Sequence, residues 1–164
     1  MSLGCEFILK PSMTDLPRRS WDDIWSMLKQ ADAWAPSVRI SPFASVIHAD
    51  NSYALPTVAE VAKQAALSPS NDMVWRNVLS DCDDACDIAQ GRLAANGMGN
   101  LAIGTAWFTA KDADGATIGA HAALIGVTSE GIGWWEPQTG ALYPLWHKWM
   151  YPEAAMYDIT AIIF

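Results

Sequence analysis

Three residues of different chemistry, spread along the second half of the chain, could together perform nucleophilic catalysis. Cys82 begins a helical pattern, His121 lies in an apolar stretch, and Glu136 follows a pair of tryptophans. A cysteine attacks as the thiolate, a histidine can take its proton, and a carboxylate can orient the imidazole. The order Cys, His, Glu therefore predicts an enzyme in which Cys82 is the nucleophile, His121 the base and Glu136 the orienting acid.

The surroundings of Cys82 have opposing effects on the stability of its thiolate. The helix N-terminus favours a thiolate, whereas nearby carboxylates oppose it by like charge. A protonated His121 would offset the carboxylates, and so would a divalent cation bound by them, since oxygen ligands suit Ca2+ or Mn2+. Two alternatives stay open: the acids cap the helix, and Cys82 and Cys86 are small core residues. The aspartates in question are Asp81, Asp83, Asp84 and Asp87.

His121 and Glu136 are separated by a distance in sequence that a hairpin could close. A lone histidine in an apolar strand is more often a core residue with one satisfied hydrogen bond than a catalyst. Glu136 comes 15 residues later, so a strand, a turn and a return strand would place it beside the imidazole. The carboxylate would then fix the tautomer and stabilise the imidazolium.

Trp75, seven residues before Cys82, is a candidate for binding an oxyanion. Transition states that develop negative charge on oxygen need a hydrogen-bond donor at that oxygen. An indole N–H could supply it. The alternative, a tryptophan packed on a short helix, is equally open.

Composition limits the function classes. The chain has 164 residues, 51% of them hydrophobic, and a net charge of -8. An acidic protein is poorly attracted to nucleic acid or to an anionic membrane, so peptide-like or small partners are favoured. Neither a signal peptide nor a transmembrane stretch is evident, and three cysteines do not suit a disulfide framework. We expect a soluble, cytoplasmic or otherwise non-secreted protein.

The order of elements predicts the fold class. Ser20 begins one helix, Thr57 with Glu60 forms a capping box for a second, and a third runs from Cys82 to about Ala95. Period-two patterns follow from Leu101 onward. Helices first and strands later predict an α+β fold, N-terminal helices packed on a mostly antiparallel sheet, in a single domain over 1–164.

Four motifs of the chain carry a resemblance to a known family. The motifs that carry it are Tyr53-Ala-Leu-Pro56, Asp81-Cys-Asp-Asp84, His121-Ala and Trp135-Glu-Pro-Gln-Thr-Gly140. Together they resemble the papain-like cysteine peptidase domain at the C-terminus of fungal chimeric lectins of the Marasmius oreades agglutinin type, and related small bacterial and phage proteins. The resemblance covers about residues 50–145.

The resemblance implies a papain-like fold and a thiol hydrolase, a peptidase or amidase, acting on a peptide or amide substrate. It implies the same catalytic triad, a tryptophan at the position of Trp75 and activation by calcium, with Asp83 and Gln138 as candidate ligands. No organic cofactor is required. Cys86 departs from the family, where an aromatic residue is expected. No sugar-binding domain is included, so carbohydrate binding is not implied.

Three other hypotheses remain. The same residues in a transglutaminase-like domain would transfer an acyl group to an amine. A catalytically inactive papain-like module could serve binding or assembly. A structural metal site formed by Cys82, Cys86 and His121 lacks a fourth ligand at normal spacing.

Overall fold

The computed structural model describes residues 15–68, 70 and 81–164. Within them the chain forms three helices and eight strands. The helices are α1 (Trp21–Trp34), α2 (Val58–Ala66) and α3 (Cys82–Ala95). The strands are β1 (Arg18–Ser20), β2 (Val38–Ile47), β3 (Ser52–Ala54), β4 (Ile103–Lys111), β5 (Thr117–Thr128), β6 (Gly131–Glu136), β7 (Ala141–Pro144) and β8 (Met156–Ile163).

Six of these strands form one sheet in the order β2-β8-β4-β5-β6-β7, and β1 pairs with β3 in a small second sheet. Neighbours in the large sheet are antiparallel except β2 and β8, which are parallel. The central hairpin of β4 and β5 closes through Gly115, whose φ of 83° suits a residue without Cβ. This hairpin carries His121 in the middle of the sheet.

The helices begin where the capping residues predict. The Ser20 hydroxyl accepts a hydrogen bond from the Asp23 backbone N–H at 3.2 Å, at the start of α1. Thr57 and Glu60 form the reciprocal capping box at the start of α2. Both predicted caps are confirmed.

Each face of the large sheet is covered by its own apolar cluster. Ala123 and Ile125 of β5 belong to the cluster that includes Ile24 of α1, whereas the alternate residues Ala122 and Leu124 belong to the cluster packed against α2 and α3. This is the two-residue period of a strand buried on both faces. Consecutive residues of β5 and β6 therefore serve opposite faces.

The predicted fold class is wrong in its layout. Strands outweigh helices, and they are interleaved with the helices: β1, β2 and β3 all precede α2. Pro42 lies within β2. The strand continues because it lies at the edge of the sheet, where proline need not donate to a neighbour, and it bulges between Ile40 and Ser45.

The helices in the described part of the chain fall short of the length and apolarity that crossing a bilayer requires.

Candidate functional site

Cys82 is the first residue of α3, and the helix places its thiol against β5. The backbone N–H of Ala122 donates to the Cys82 Sγ at 3.3 Å. The helix stays there because Ala85, Ala89 and Leu93 are buried on one stripe against the sheet. Cys82 is partly exposed at the end of this stripe.

His121 and Glu136 are in direct contact. The His121 Nε2 and the Glu136 Oε2 are 2.6 Å apart, and the residues are 8% and 2% exposed. Leu124 pairs with Trp135 across β5 and β6. Continuing that register sets Glu136 opposite Ala123 and diagonal to His121, on the same face of the sheet.

The environment of His121 favours its protonated form. Burial acts against the charged imidazole, but hydrogen bonds to Cys82 and Glu136 and the negative charges of both outweigh it and raise the pKa of His121 to about 9. The imidazole is therefore protonated at neutral pH. Because Nε2 faces Glu136, Nδ1 is the ring nitrogen left for the Cys82 thiol.

Two further donors hold the Glu136 carboxylate. The Gln138 backbone N–H donates to Oε1 at 3.1 Å, and the Trp149 indole Nε1 donates to Oε2 at 3.4 Å. Sequence reasoning missed Trp149, since it is one of nine tryptophans and lies in no recognisable motif. Its loop is fixed by the Tyr157 hydroxyl, which accepts the backbone N–H of Tyr151 at 3.0 Å.

Aromatic rings enclose the His121–Glu136 pair. The Phe108 ring meets the His121 ring edge-on at 5.8 Å between centroids, and Trp149 does so at 6.5 Å. Trp134 packs against both aromatic neighbours. Such walls exclude water, so the pair interacts in a medium of low effective dielectric.

The predicted metal ligands are only partly brought together. Asp81, Asp83 and Asp84 offer carboxylate oxygens within 4.8 Å of one another. A hydrogen bond with Asp83 and the like charge beside it raise the pKa of Asp81, and the same bond lowers the pKa of Asp83. Gln138 is joined to the site through its backbone N–H rather than to this carboxylate cluster.

Trp75 and Cys86 are the remaining residues singled out in the sequence. Trp75 lies outside the described residues. Cys86, one helical turn after Cys82, is fully buried, and that burial raises the pKa of its thiol. Cys86 is therefore a packed core residue rather than a second nucleophile.

No protein-family model and no curated protein matches this chain. Solved structures do match. One, described as a PSL1a–E64 complex, superposes with a TM-score of 0.66 at 20% sequence identity, over 90% of this chain and 51% of its own. Another, Polyporus squamosus lectin bound to the human-type influenza-binding epitope Neu5Aca2-6Galb1-4GlcNAc, superposes with a TM-score of 0.63 at 19% identity, over 90% and 49%. The chain spans about half the length of these structures, and the likeness shows the fold alone.

These comparisons correct the family and the function expected from the sequence. One matching structure is named as a lectin and neither is named as a papain-like peptidase, so on this comparison the predicted papain-like fold and family are wrong. The expectations that depended on the family are therefore wrong as well. They were a thiol protease or other hydrolase, the transferase and inactive-module alternatives, and a peptide or amide substrate. The contacts of Cys82, His121 and Glu136 do not depend on the family.

Proposed function

We propose that this chain is a cysteine-nucleophile enzyme in which Cys82 attacks an electrophilic carbon of its substrate. His121 carries the proton that balances the thiolate, and Glu136 orients and stabilises the imidazolium. The single observation that carries the proposal is the buried 2.6 Å contact between His121 Nε2 and Glu136 Oε2. Cys82 lies next to this pair, since its Sγ accepts the backbone N–H of Ala122, the residue after His121.

The electrostatics of the site support this assignment. A protonated imidazole beside a cysteine sulfur favours the thiolate, which is the form that attacks. The α3 N-terminus and the Ala122 backbone N–H add partial positive charge at the same sulfur. These groups offset the repulsion from Asp83 and Asp84 in the first turn of α3.

The proposal is tested by covalent labelling with E64, the compound named in one of the matching structures. The Cys82 thiolate attacks a carbon of the epoxide, an S–C bond forms, the C–O bond opens, and His121 gives its proton to the oxygen. Intact-protein mass spectrometry should show one adduct of the full mass of E64, mapped to Cys82.

The variants decide what the label reports. Cys82→Ala should abolish the adduct, and His121→Ala should slow labelling at pH 7 by about a hundredfold, the usual scale of a lost acid–base group. Cys86→Ala is the matched control and should label at the rate of the unmodified chain. The proposal fails if iodoacetamide, a smaller probe, alkylates Cys82 no faster than a free cysteine in a denatured chain.

A divalent cation at the carboxylate cluster is a further part of the proposal. Carboxylate oxygens of Asp81, Asp83 and Asp84 within 4.8 Å of one another suit Ca2+ or Mn2+. A cation there would neutralise charge next to Cys82. Addition of Ca2+ should speed iodoacetamide labelling of Cys82 and not of Asp83→Asn; equal acceleration of both would remove the cation from the proposal.

Glycan binding is a second candidate function. It is favoured by one observation, the sialylated trisaccharide bound to a lectin that shares this fold. Since this chain spans about half of that lectin, the sugar is tested directly: titration of Neu5Aca2-6Galb1-4GlcNAc into the chain by calorimetry, with galactose as the control. Saturable heat with the trisaccharide alone would support glycan binding, and its absence would end this candidate.

A cytoplasmic or otherwise non-secreted location is proposed with the enzyme. Cys82 and Cys86 are both free thiols. A nucleophilic thiol keeps its reactivity in a reducing compartment.

A further inference from the structure

A cavity lies on the face of the sheet that α2 covers. Its volume is about 300 Å³, at the lower end of the range for small-molecule pockets. On β5 it is lined by Gly126 and Thr128, and Gly126 lies four residues beyond the Ala122 that contacts Cys82. Four residues of a strand span about 13 Å. The cavity is therefore distinct from the Cys82 site.

The floor of the cavity exists because two glycines face each other. Gly126 of β5 pairs directly with Gly133 of β6. In a cross-strand pair the two side chains normally meet and cover the sheet. At Gly126 the missing side chain leaves a gap between the sheet and α2, whereas at Gly133 the Tyr143 carbonyl oxygen lies close to where a Cβ would be.

The walls of the cavity are mostly apolar. The polar groups at its rim are already engaged: the Glu130 carboxylate accepts the Val58 backbone N–H at 3.2 Å, and the Thr128 hydroxyl donates to the Gly131 carbonyl at 2.8 Å. The apolar wall is formed by Val58, Val61, Ile103, Ile132 and Leu142.

The indole of Trp135 is also part of the wall, and it carries an unused donor. Trp135 is 2% exposed, and its Nε1 has no hydrogen-bond partner among the residues the structure describes. Buried indole N–H groups usually have a partner, because an unpaired donor away from water is costly. A ligand oxygen would supply the missing acceptor.

We propose that this cavity binds a small apolar ligand, the size of one substituted ring, that carries a single hydrogen-bond acceptor oxygen. The apolar wall takes the ring, and the Trp135 Nε1 donates to the oxygen. An ion or a sugar is disfavoured, since neither could satisfy its several polar groups against this wall.

The test uses two matched fluorinated probes and fluorine NMR line broadening. 4-Fluoroacetophenone has a carbonyl oxygen, and 1-ethyl-4-fluorobenzene has the same shape without it. We expect the ketone to bind at millimolar concentration and the hydrocarbon about fivefold more weakly, the scale of one neutral hydrogen bond. Trp135→Phe should make the two probes equal.

A filled cavity should bind neither probe. A Cβ at Gly126 would have the Ile103 Cγ1 as its nearest neighbour at 3.8 Å, an ordinary contact, so a side chain can begin there without a clash. Gly126→Val adds two methyl groups beyond that Cβ to fill the space. Gly126→Ala is the milder version if valine impairs folding. Gly133 is unsuitable, because its Cβ would lie 2.8 Å from the Tyr143 carbonyl oxygen.

Cys82→Ala should leave probe binding unchanged, so this site stands or falls independently of the proposed enzyme. Absence of broadening with both probes would overturn the inference. Equal binding of the two probes to the unmodified chain, or undiminished binding to Gly126→Val, would overturn it as well.

Discussion

The Trp149 indole Nε1 donates to the Glu136 Oε2 at 3.4 Å, the same oxygen that contacts His121 at 2.6 Å. Two donors thus compete for one carboxylate oxygen. The neutral indole takes part of the negative charge that would otherwise stabilise the imidazolium. The loop that carries Trp149 is in this way coupled to the protonation of His121.

Removal of the indole donor should raise the pKa of His121 further. In the unmodified chain the Trp149 ring stacks on Tyr143, with 5.0 Å between ring centroids and 11° between planes. Trp149→Phe keeps an aromatic ring for this stacking. Glu136 then accepts from the imidazole with less competition, so the pKa of His121 should move above about 9. Imidazole chemical shifts followed against pH measure it.

The direction in which the pKa of His121 changes distinguishes competition for Glu136 from structural damage to the site. If Trp149→Phe merely admitted water, the pKa of His121 would fall toward its ordinary value of 6.5. Trp146→Phe is the matched control, since Trp146 is 56% exposed, and it should leave the titration unchanged.

Glu136→Gln should lower the pKa of His121 and slow the chemistry of Cys82. The amide keeps the shape of the carboxylate but removes its charge, so the imidazolium loses its buried counter-ion. We expect iodoacetamide labelling of Cys82 at pH 7 to fall by about tenfold or more. Glu130→Gln, which removes an acid that contacts the Val58 backbone instead, should label normally.

The stability of the protein should fall as the pH rises from neutral to alkaline. The pKa of His121 is raised from 6.5 to about 9 in the folded chain. The protonated His121 therefore contributes fully to the unfolding free energy below pH 6.5. This contribution, on the order of 3 kcal/mol in all, is lost as the pH rises through about 9. Urea unfolding at pH 6.5 and at pH 9.5 measures it.

The same comparison in two variants isolates His121. His121→Gln should show a smaller loss of unfolding free energy over this pH range. His147→Gln, at an exposed histidine, should show the same loss as the unmodified chain. Parallel pH profiles for all three would contradict the pKa assigned to His121.

The sequence predicts local features of this fold better than contacts between distant segments. The caps at Ser20 and Thr57 and the strand that carries His121 follow from residues within one or two turns of each other. The parallel pairing of β2 with β8 joins segments about 120 residues apart, as the Arg39–Asp158 contact shows, and leaves no local pattern.

The residues of the candidate site likewise differ in how well the sequence predicts them. Cys82, His121 and Glu136 are recognisable because their chemistry restricts the residue types. Trp149 is not, since a tryptophan that donates one hydrogen bond looks like a core tryptophan until the loop is placed. The cavity at Gly126 is equally hidden, because its partner Gly133 is known only once the strand register is fixed.

Asp158 should be the most sensitive polar residue of the sheet outside the site. Asp158 is 5% exposed. Its carboxylate accepts two hydrogen bonds from Arg39, at 2.9 and 3.2 Å, and forms an ion pair with Lys111 at 3.3 Å. These contacts join the neighbouring strands β2, β8 and β4. Hydrogen bonds from Arg39 first, and then Lys111, lower the pKa of Asp158 against the opposing effect of burial.

Asp158→Asn should therefore reduce the unfolding free energy by about 1–3 kcal/mol at pH 7, since a neutral amide lacks the buried charge that attracts the Arg39 and Lys111 cations. A carboxyl whose pKa is lowered on folding contributes above its unfolded value, 3.8 here, and loses that contribution as the pH falls through the folded value. The difference in unfolding free energy between the unmodified chain and Asp158→Asn should accordingly become smaller below about pH 4. Asp114→Asn, at an exposed turn position, should unfold like the unmodified chain at both pH values. A gap of constant size down to acid pH would show that Asp158 contributes by packing rather than by charge.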